Sequence, residues 1–245
     1  KKINIINLDF LISKYMITFL IPTYKEFSNI ELIVNKINNL YLKKSYNIFF
    51  IDDDSKDGSL EKFKILKNNN KNIDYHIRKS FARDLTQSVI HALKFIHTEY
   101  IIIIDCDLQH DANAIPIMVD SLINQNYDLV IGCRDINKIS QFNRRYISFF
   151  GILLTKLTGI PTLKDPLSGF FGIKTLDFKK VSSCIKSRGY KVLLSIIFYL
   201  PKDIKLKEIN INFYERQNEQ SKLNFKVKIF FLLQIMKFII IRIFK

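Results

Sequence analysis

The stretch IIIIDCDLQHD, residues 101–111, places four consecutive isoleucines directly before three aspartates. An unbroken run of β-branched residues favours a strand buried on both faces, as in a parallel sheet covered by helices. Carboxylates that follow such a strand lie where open α/β sheets bind their ligands. Asp111 also fits a cap of the next helix, whereas Asp105 and Asp107 lie too early for that role. Because neighbouring carboxylates repel each other, this pair favours a bound cation or donor groups.

Similar strand-to-helix units recur along the chain. Strands are predicted over 16–24, 46–52, 72–78, 101–104 and 127–134, with a helix after each of the first four. Past residue 135 the pattern predicts an apolar and basic helix over 142–158 and further strands in 165–174 and 203–216. The alternation implies an α/β fold with a mostly parallel sheet and helices on both faces.

Composition limits the class of protein. A chain of 245 residues suits one α/β domain, and 48% hydrophobic residues with only 7 Gly and 5 Pro exclude a disordered or fibrous protein. The net charge of +15 suggests an anionic partner, although lysine is heavily used throughout. No stripe of basic residues interleaved with aromatics appears, so we expect no nucleic acid. Cys106, Cys133 and Cys184 are isolated, and we expect the last two to be buried thiols.

The tail FKVKIFFLLQIMKFIIIRIFK (225–245) predicts an amphipathic helix. Its apolar face carries Ile229, Leu232, Leu233, Met236, Ile239, Ile240 and Ile243, and its polar residues Lys226, Gln234, Lys237 and Arg242 lie on the other side. Charged residues interrupt it too often for a membrane span, so we predict a helix lying in the membrane interface. The alternatives are a core helix packed on the sheet and the truncated start of a longer membrane region. The predicted organisation is an N-terminal extension (1–15), an α/β domain (16–226) and this interface helix (227–245).

Two more predicted strands end in polar loops, IPTYKE (21–26) and IDDDSKDGS (51–59). In a parallel sheet these loops meet at the same edge as Asp105 and Asp107. The aspartates at 52–54 could accept hydrogen bonds from a ribose or a base. The local alternative is an Asx-type turn and helix cap.

These motifs, together with GCRD (132–135), DPLSGFFGIK (165–174) and ERQNEQSKL (215–223), occur in one order over residues 16–226. In this the chain resembles the family 2, GT-A-fold glycosyltransferases, and within them the polyprenol-phosphate branch typified by dolichol-phosphate mannose synthase. The fold implied is a Rossmann-like three-layer sandwich.

The resemblance also implies roles for residues around the donor. Pro22, Tyr24, Glu26, Asp53 and Asp105 would contact the nucleotide sugar. Asp105, Asp107 and Gln109 would bind Mg²⁺ or Mn²⁺, hard ions that prefer oxygen ligands. Asp107 would be catalytic through that ion.

On the acceptor side, the resemblance assigns phosphate contacts to Arg134, Arg144, Ser148, Arg216 and Lys222, with Arg216 also catalytic. Arginine suits phosphate because its planar fork matches two oxygens. No catalytic base is expected, and Asp165 would shape the acceptor side.

The implied function is inverting transfer of a hexose to a polyprenyl phosphate by a protein attached peripherally to the cytoplasmic face of a membrane. Mannose from GDP-mannose is the leading donor, and a UDP-linked glucose or amino sugar is the alternative. An inactive scaffold with the same fold is a further alternative, because the chain departs from the family pattern. Cys106 replaces a small alanine, HDAN (110–113) replaces His-Pro-Pro, Ser195 replaces a glutamate and Glu219 a glycine.

Overall fold

The computed structural model describes residues 16–79, 82–135, 151–160, 162–186, 189–214 and 225–244. In this part of the chain one sheet contains β1 (Ile17–Thr23), β2 (Tyr46–Asp52), β3 (Ile73–Ile77), β4 (Tyr100–Ile103), β5 (Leu129–Arg134), β6 (Phe171–Lys174) and β7 (Leu206–Ile211). The strands lie in the order β3-β2-β1-β4-β6-β5-β7. All pairs are parallel except those of β6, which runs antiparallel to β4 and β5. The predicted α/β class is confirmed.

Helices cover both faces of this sheet. They are α1 (Phe27–Asn38), α2 (Ser59–Asn69), α3 (Leu85–Ala92), α4 (Ile115–Ile123), α5 (Thr175–Ser182), α6 (Val192–Tyr199) and a tail helix (Phe225–Ile243). Apolar residues of α1, α2 and α4 join one core, and those of α3, α5 and α6 join a second core. The result is the predicted three-layer arrangement, although α3 ends at Ala92, earlier than its apolar spacing suggests.

The four isoleucines at 101–104 form an apolar run without alternation because both faces of the sheet are buried here. Ile102 and Ile104 belong to the first core, and Ile101 and Ile103 to the second, on the opposite face of the sheet. All four are at most 1% exposed. Each burial contributes roughly 1.5–3 kcal/mol, so a polar residue at any of these positions would be costly.

Two features of the sheet create a cleft at its carboxyl edge. The pairing of β1 with β2 continues to Thr23 and Asp52, but that of β1 with β4 stops at Leu20 and Ile103. The chain crosses from β3 to β4 on the other side of β1, which makes this a topological switch point. Because β6 is antiparallel, the loop that precedes it also lies at this edge.

The tail helix packs on the domain through the side that carries Gln234. Gln234, Ile235 and Phe238 are buried, and the two apolar ones pack with Leu167 and Leu194. Several large apolar side chains of this helix are exposed, among them Leu232, Leu233, Met236, Ile240 and Ile243. None of the helices in the described residues is both long and apolar enough to cross a membrane. The interfacial role of the tail helix stays a prediction.

One expectation about cysteine was wrong. Cys133 is buried as expected, but Cys184 is exposed. Cys184 lies just past the end of α5, where Val181 and Ile185 occupy the buried side.

Candidate active site

Asp105 is held at the carboxyl end of β4 by two close neighbours. His110 Nε2 lies 3.2 Å from Asp105 Oδ2, and because an ionised carboxylate only accepts, Nε2 carries the hydrogen. Gly169 allows the loop before β6 to approach, since a Cβ there would lie 2.3 Å from Asp105 Oδ2. The Asp105 side chain is nevertheless 33% exposed. The carboxylate is therefore fixed in place and reachable from solvent.

The loop that follows Asp105 carries the other two predicted metal-site residues. Leu108 has a φ of +61°, so the loop turns sharply, and Asp107 Oδ1 accepts a hydrogen bond from the Gln109 backbone N–H (3.2 Å). Gln109 is buried, and its side chain donates to the Tyr214 carbonyl (3.1 Å), while the Tyr214 N–H donates to the Gln109 carbonyl (2.8 Å). Asp105, Asp107 and Gln109 thus share one short loop that is anchored along its length.

The predicted nucleotide contacts at the end of β1 differ in exposure. Pro22 is buried in the strand, and Glu26 is buried and accepts from the Asn29 side chain (2.7 Å). Tyr24 is half-buried, and the guanidinium of Arg83 lies over its ring, 4.2 Å from Cζ to the ring centroid. Of the three, Tyr24 offers the most accessible side chain.

Asp53, the fourth predicted nucleotide contact, is bonded within the protein. Its Oδ1 accepts from Arg78 Nε (2.6 Å) and from the Ser88 hydroxyl, and its Oδ2 accepts from the Asp84 N–H (2.8 Å). These donors come from the segment between β3 and α3 and from α3 itself. Asp53 therefore ties the ends of β2 and β3 to that helix, and its contact with a nucleotide stays a prediction.

The local turn and cap roles that we considered are present nearby. Asp57 Oδ1 accepts from the Ser59 N–H two residues further on (3.1 Å), which is the Asx-type turn at the start of α2. Asp111 accepts from the Asn113 N–H (3.1 Å) ahead of α4. Neither carboxylate needs a ligand to explain its place in the sequence.

Arg134, a predicted phosphate contact, forms an ion pair inside the domain. Its Nε and Nη2 donate to the two oxygens of the fully buried Asp165, at 2.6 and 2.9 Å. Burial alone would raise the pKa of Asp165, but Arg134 outweighs that effect and holds this pKa below its usual value. Lys191 donates to the Leu167 carbonyl in the same loop (3.1 Å), and burial, assisted by Arg134, lowers the pKa of Lys191 to about 8. These cations brace the loop 165–169, and a phosphate contact of Arg134 stays a prediction.

The remaining predicted site residues, Arg144, Ser148, Arg216 and Lys222, lie outside the described residues. Residues 142–150 of the helix predicted over 142–158 also lie outside the described residues, whereas residues 151–156 are described and are helical. Their roles stay predictions.

Three residues at this edge were not predicted from the sequence. His110 stood within the quoted motif, and its place directly after the acidic loop was a usable signal. Lys191 is the lone charge at the start of an apolar helix, which could have marked a half-buried lysine. Arg83, which also bonds to the Tyr190 hydroxyl, carries no such signal, because its partners are distant in sequence.

The donor set of the Asp105–Gln109 loop fits a hard divalent cation. Mg²⁺ is usually held by one or two carboxylates together with substrate phosphates, and two aspartates on one anchored loop match that pattern. Among the described residues, no group of three or more His, Cys, Asp or Glu side chains is arranged so that it could hold a metal ion by itself. Asp105, Asp107 and Gln109 are the residues that would hold such an ion, and this role stays a prediction.

Solved structures share this fold. Glucosyl-3-phosphoglycerate synthase from Mycobacterium tuberculosis, in complex with Mn²⁺, UDP-glucose and phosphoglyceric acid, superposes with a TM-score of 0.70 at 15% identity. The match covers 97% of this chain and 82% of that one. At this identity the likeness shows the GT-A fold alone.

Sequence relatives carry more specific names. Dolichol-phosphate mannosyltransferase of Pyrococcus furiosus is 31% identical over 216 residues, which cover 86% of this chain and 60% of that protein. Dolichol-phosphate mannosyltransferase of Saccharomyces cerevisiae is 28% identical over 232 residues, covering 88% of this chain and 84% of that protein. The sequence profile described as glycosyl transferase family 2 matches residues 18–191, most of the chain. The chain therefore belongs to glycosyl transferase family 2.

Proposed function

We propose that the chain transfers mannose from GDP-mannose to a polyprenyl phosphate at a membrane surface, with Mg²⁺ or Mn²⁺ bound. The observation that carries this proposal is the Asp105–Gln109 loop, held at the switch point of the sheet with a partly exposed carboxylate. The names of the relatives support the choice of sugar and acceptor.

In the proposed reaction an oxygen of the acceptor phosphate attacks C1 of the sugar. The bond from C1 to the donor diphosphate breaks with inversion, and GDP leaves. A phosphate monoester has its second pKa near ~6 and is already largely ionised at neutral pH, so the nucleophile needs no strong base. Catalysis then depends on positioning two anionic reactants and stabilising the charge that develops on GDP.

Different residues of this chain are assigned to these tasks. Asp105, Asp107 and Gln109 hold the cation, which when bound acts as a Lewis acid toward the departing diphosphate. His110 and the Gly169 backbone keep Asp105 in position. Arg216 and Lys222, with Arg144 and Ser148, are assigned to the phosphates through the family resemblance.

The exposed apolar side of the tail helix supports peripheral attachment to the bilayer. A Cβ at Gly151 would lie 4.0 Å from Phe231, and the Arg242 guanidinium covers Gly159. The segment 151–159 therefore runs beside the tail helix, and it adds exposed Leu153 and Leu157 to the apolar surface. Apolar area of this kind drives binding to the membrane interface. Assignment to the cytoplasmic face rests on the resemblance.

Two experiments test this proposal. In the first, the purified protein is incubated with Mn²⁺, a short polyprenyl phosphate and either GDP-mannose or a panel of UDP-sugars, and glycolipid formation is measured. Product from GDP-mannose supports the proposal, and no product from any donor rejects the enzymatic function.

The second experiment tests membrane attachment by flotation with anionic vesicles. We expect the double variant Leu233→Asp and Met236→Asp to lose vesicle binding. Leu32→Asp, which changes an exposed leucine on α1, is the matched control and should bind like the wild type. Equal binding of all three proteins would contradict an anchor in the tail helix.

A UDP-sugar donor is the second candidate, because the neighbouring solved structure holds UDP-glucose with Mn²⁺. A bound nucleotide stabilises the native state. Thermal shifts with GDP and UDP in the presence of Mn²⁺ therefore distinguish the two donors. A larger shift with UDP would replace GDP-mannose in the proposal.

A further inference from the structure

Gln234 is a buried amide in an otherwise apolar part of the tail helix. Its side chain is directed into the domain, where Nε2 donates to the Ser195 hydroxyl (2.8 Å) and lies 3.3 Å from the Lys191 carbonyl. Gln234 is 5% exposed and Ser195 is fully buried. A buried polar contact of this kind is costly to leave incomplete, so it fixes how the tail helix sits on α6.

The contact continues toward the active site through Lys191. The Lys191 ammonium donates to the Leu167 carbonyl (3.1 Å), and the Leu167 side chain packs with Ile235 and Phe238 of the tail helix. The tail helix thus reaches Leu167 twice, once directly and once through Gln234 and Lys191. Two residues further along, the Gly169 backbone lies against the Asp105 carboxylate.

A second polar contact of the tail helix provides a comparison. Arg242 donates to the carbonyls of Thr158 and Gly159, and it makes no contact with the loop 165–169 among the described interactions. Arg242 therefore fastens the end of the helix without touching the route to Asp105.

We propose that Gln234 is a positioning residue that links the seating of the tail helix to the loop 165–169 and so to Asp105. The inference rests on the proposed function, because only in that function does the tail helix face a membrane and Asp105 belong to a transfer site. Ser195 is part of the same link. Position 195 is commonly a glutamate in the family that the chain resembles. The serine found here allows an uncharged pair with Gln234 to form.

Hydrogen exchange measured by mass spectrometry on the full chain, without substrate, tests the link. Gln234→Met keeps the shape of the side chain and removes its donated hydrogen bonds. We expect amide exchange in the loop 165–169 to become at least tenfold faster in this variant. Arg242→Met, the matched control, should leave the loop unchanged. Equal effects of the two variants, or no effect of Gln234→Met, would overturn the inference.

Lys191→Met provides a second route if Gln234→Met does not fold, and it should accelerate exchange in the same loop. If it does not, the inference is overturned. Where the wild type is active, Gln234→Met should lower kcat about tenfold and leave vesicle binding unchanged. An inactive wild type that still shows the exchange result would reject the proposed function and retain the link.

Discussion

Asp53 and Asp105 follow buried strands on opposite sides of β1, yet their carboxylates have different surroundings. The Asp53 side chain is 4% exposed and accepts from Arg78, Ser88 and the Asp84 N–H. The Asp105 side chain is 33% exposed and is oriented by His110. The comparison indicates that Asp53 fastens the loops after β2 and β3, whereas Asp105 is reachable from solvent, and we propose that it binds the ligand.

The largest effect that this comparison predicts is on turnover. Asp105→Ala should lower the rate of transfer by roughly 10²–10³-fold, because the charge on the leaving diphosphate loses its stabilisation. The urea midpoint should change little, since the side chain is partly exposed. Initial rates and urea unfolding on the same preparation check both statements. A variant with near wild-type rate would remove Asp105 from the site.

Arg78→Met should act on stability. It leaves the buried Asp53 carboxylate without its cation, which costs about 3–5 kcal/mol of unfolding free energy. Urea unfolding measures the loss. The double variant Asp53→Asn with Arg78→Met should recover part of it, because no uncompensated charge then remains. If the single variant loses less unfolding free energy than the double variant, the Asp53–Arg78 pair does not fasten these loops.

A smaller effect is expected at His110. His110→Phe preserves aromatic packing against Phe170 and Phe213 but removes the hydrogen bond to Asp105. Partners that orient a metal ligand typically contribute 10–100-fold in affinity or activity, so Mn²⁺ affinity should fall by about tenfold. Calorimetric titration measures it. An unchanged affinity would show that Asp105 does not need His110.

The smallest effect should come from Gly169→Ala. The added methyl would lie 2.3 Å from Asp105 Oδ2 and 3.0 Å from its Cγ, so the carboxylate or the loop must shift. We expect a decrease in turnover of a few fold, as an order-of-magnitude figure for a displaced but intact ligand. Initial rates check it, and a rate equal to that of the wild type would show that the close approach of Gly169 to Asp105 does not matter for transfer.

Much of the fold and part of the candidate site could be predicted from the sequence, because strand periodicity and strand-end polarity are local signals. The isoleucines of β4 and the loop with Asp105 and Asp107 lie where the pattern predicted them, whereas Gln109 was assigned through the family resemblance. The partners of Asp53 could not be predicted, since Arg78 and Ser88 are 25 and 35 residues away along the chain.

The antiparallel direction of β6 also escaped the sequence pattern, because a short apolar strand looks the same in either direction. Its direction is what brings Gly169 to Asp105. The sequence pattern also left open which side of the tail helix packs on the domain. Helical periodicity separates Gln234 from the leucines, but it does not say which side faces the protein.

The most direct test of the site is a calorimetric titration of Mn²⁺ into the protein in the presence of GDP, for the wild type and Asp107→Ala. Asp107 lies in the anchored loop, and its backbone neighbour Gln109 donates to it. The wild type should bind Mn²⁺ and GDP together, and Asp107→Ala should lose this coupled binding while its thermal unfolding is unchanged. Identical Mn²⁺-dependent GDP binding by the two proteins would contradict a metal site in this loop.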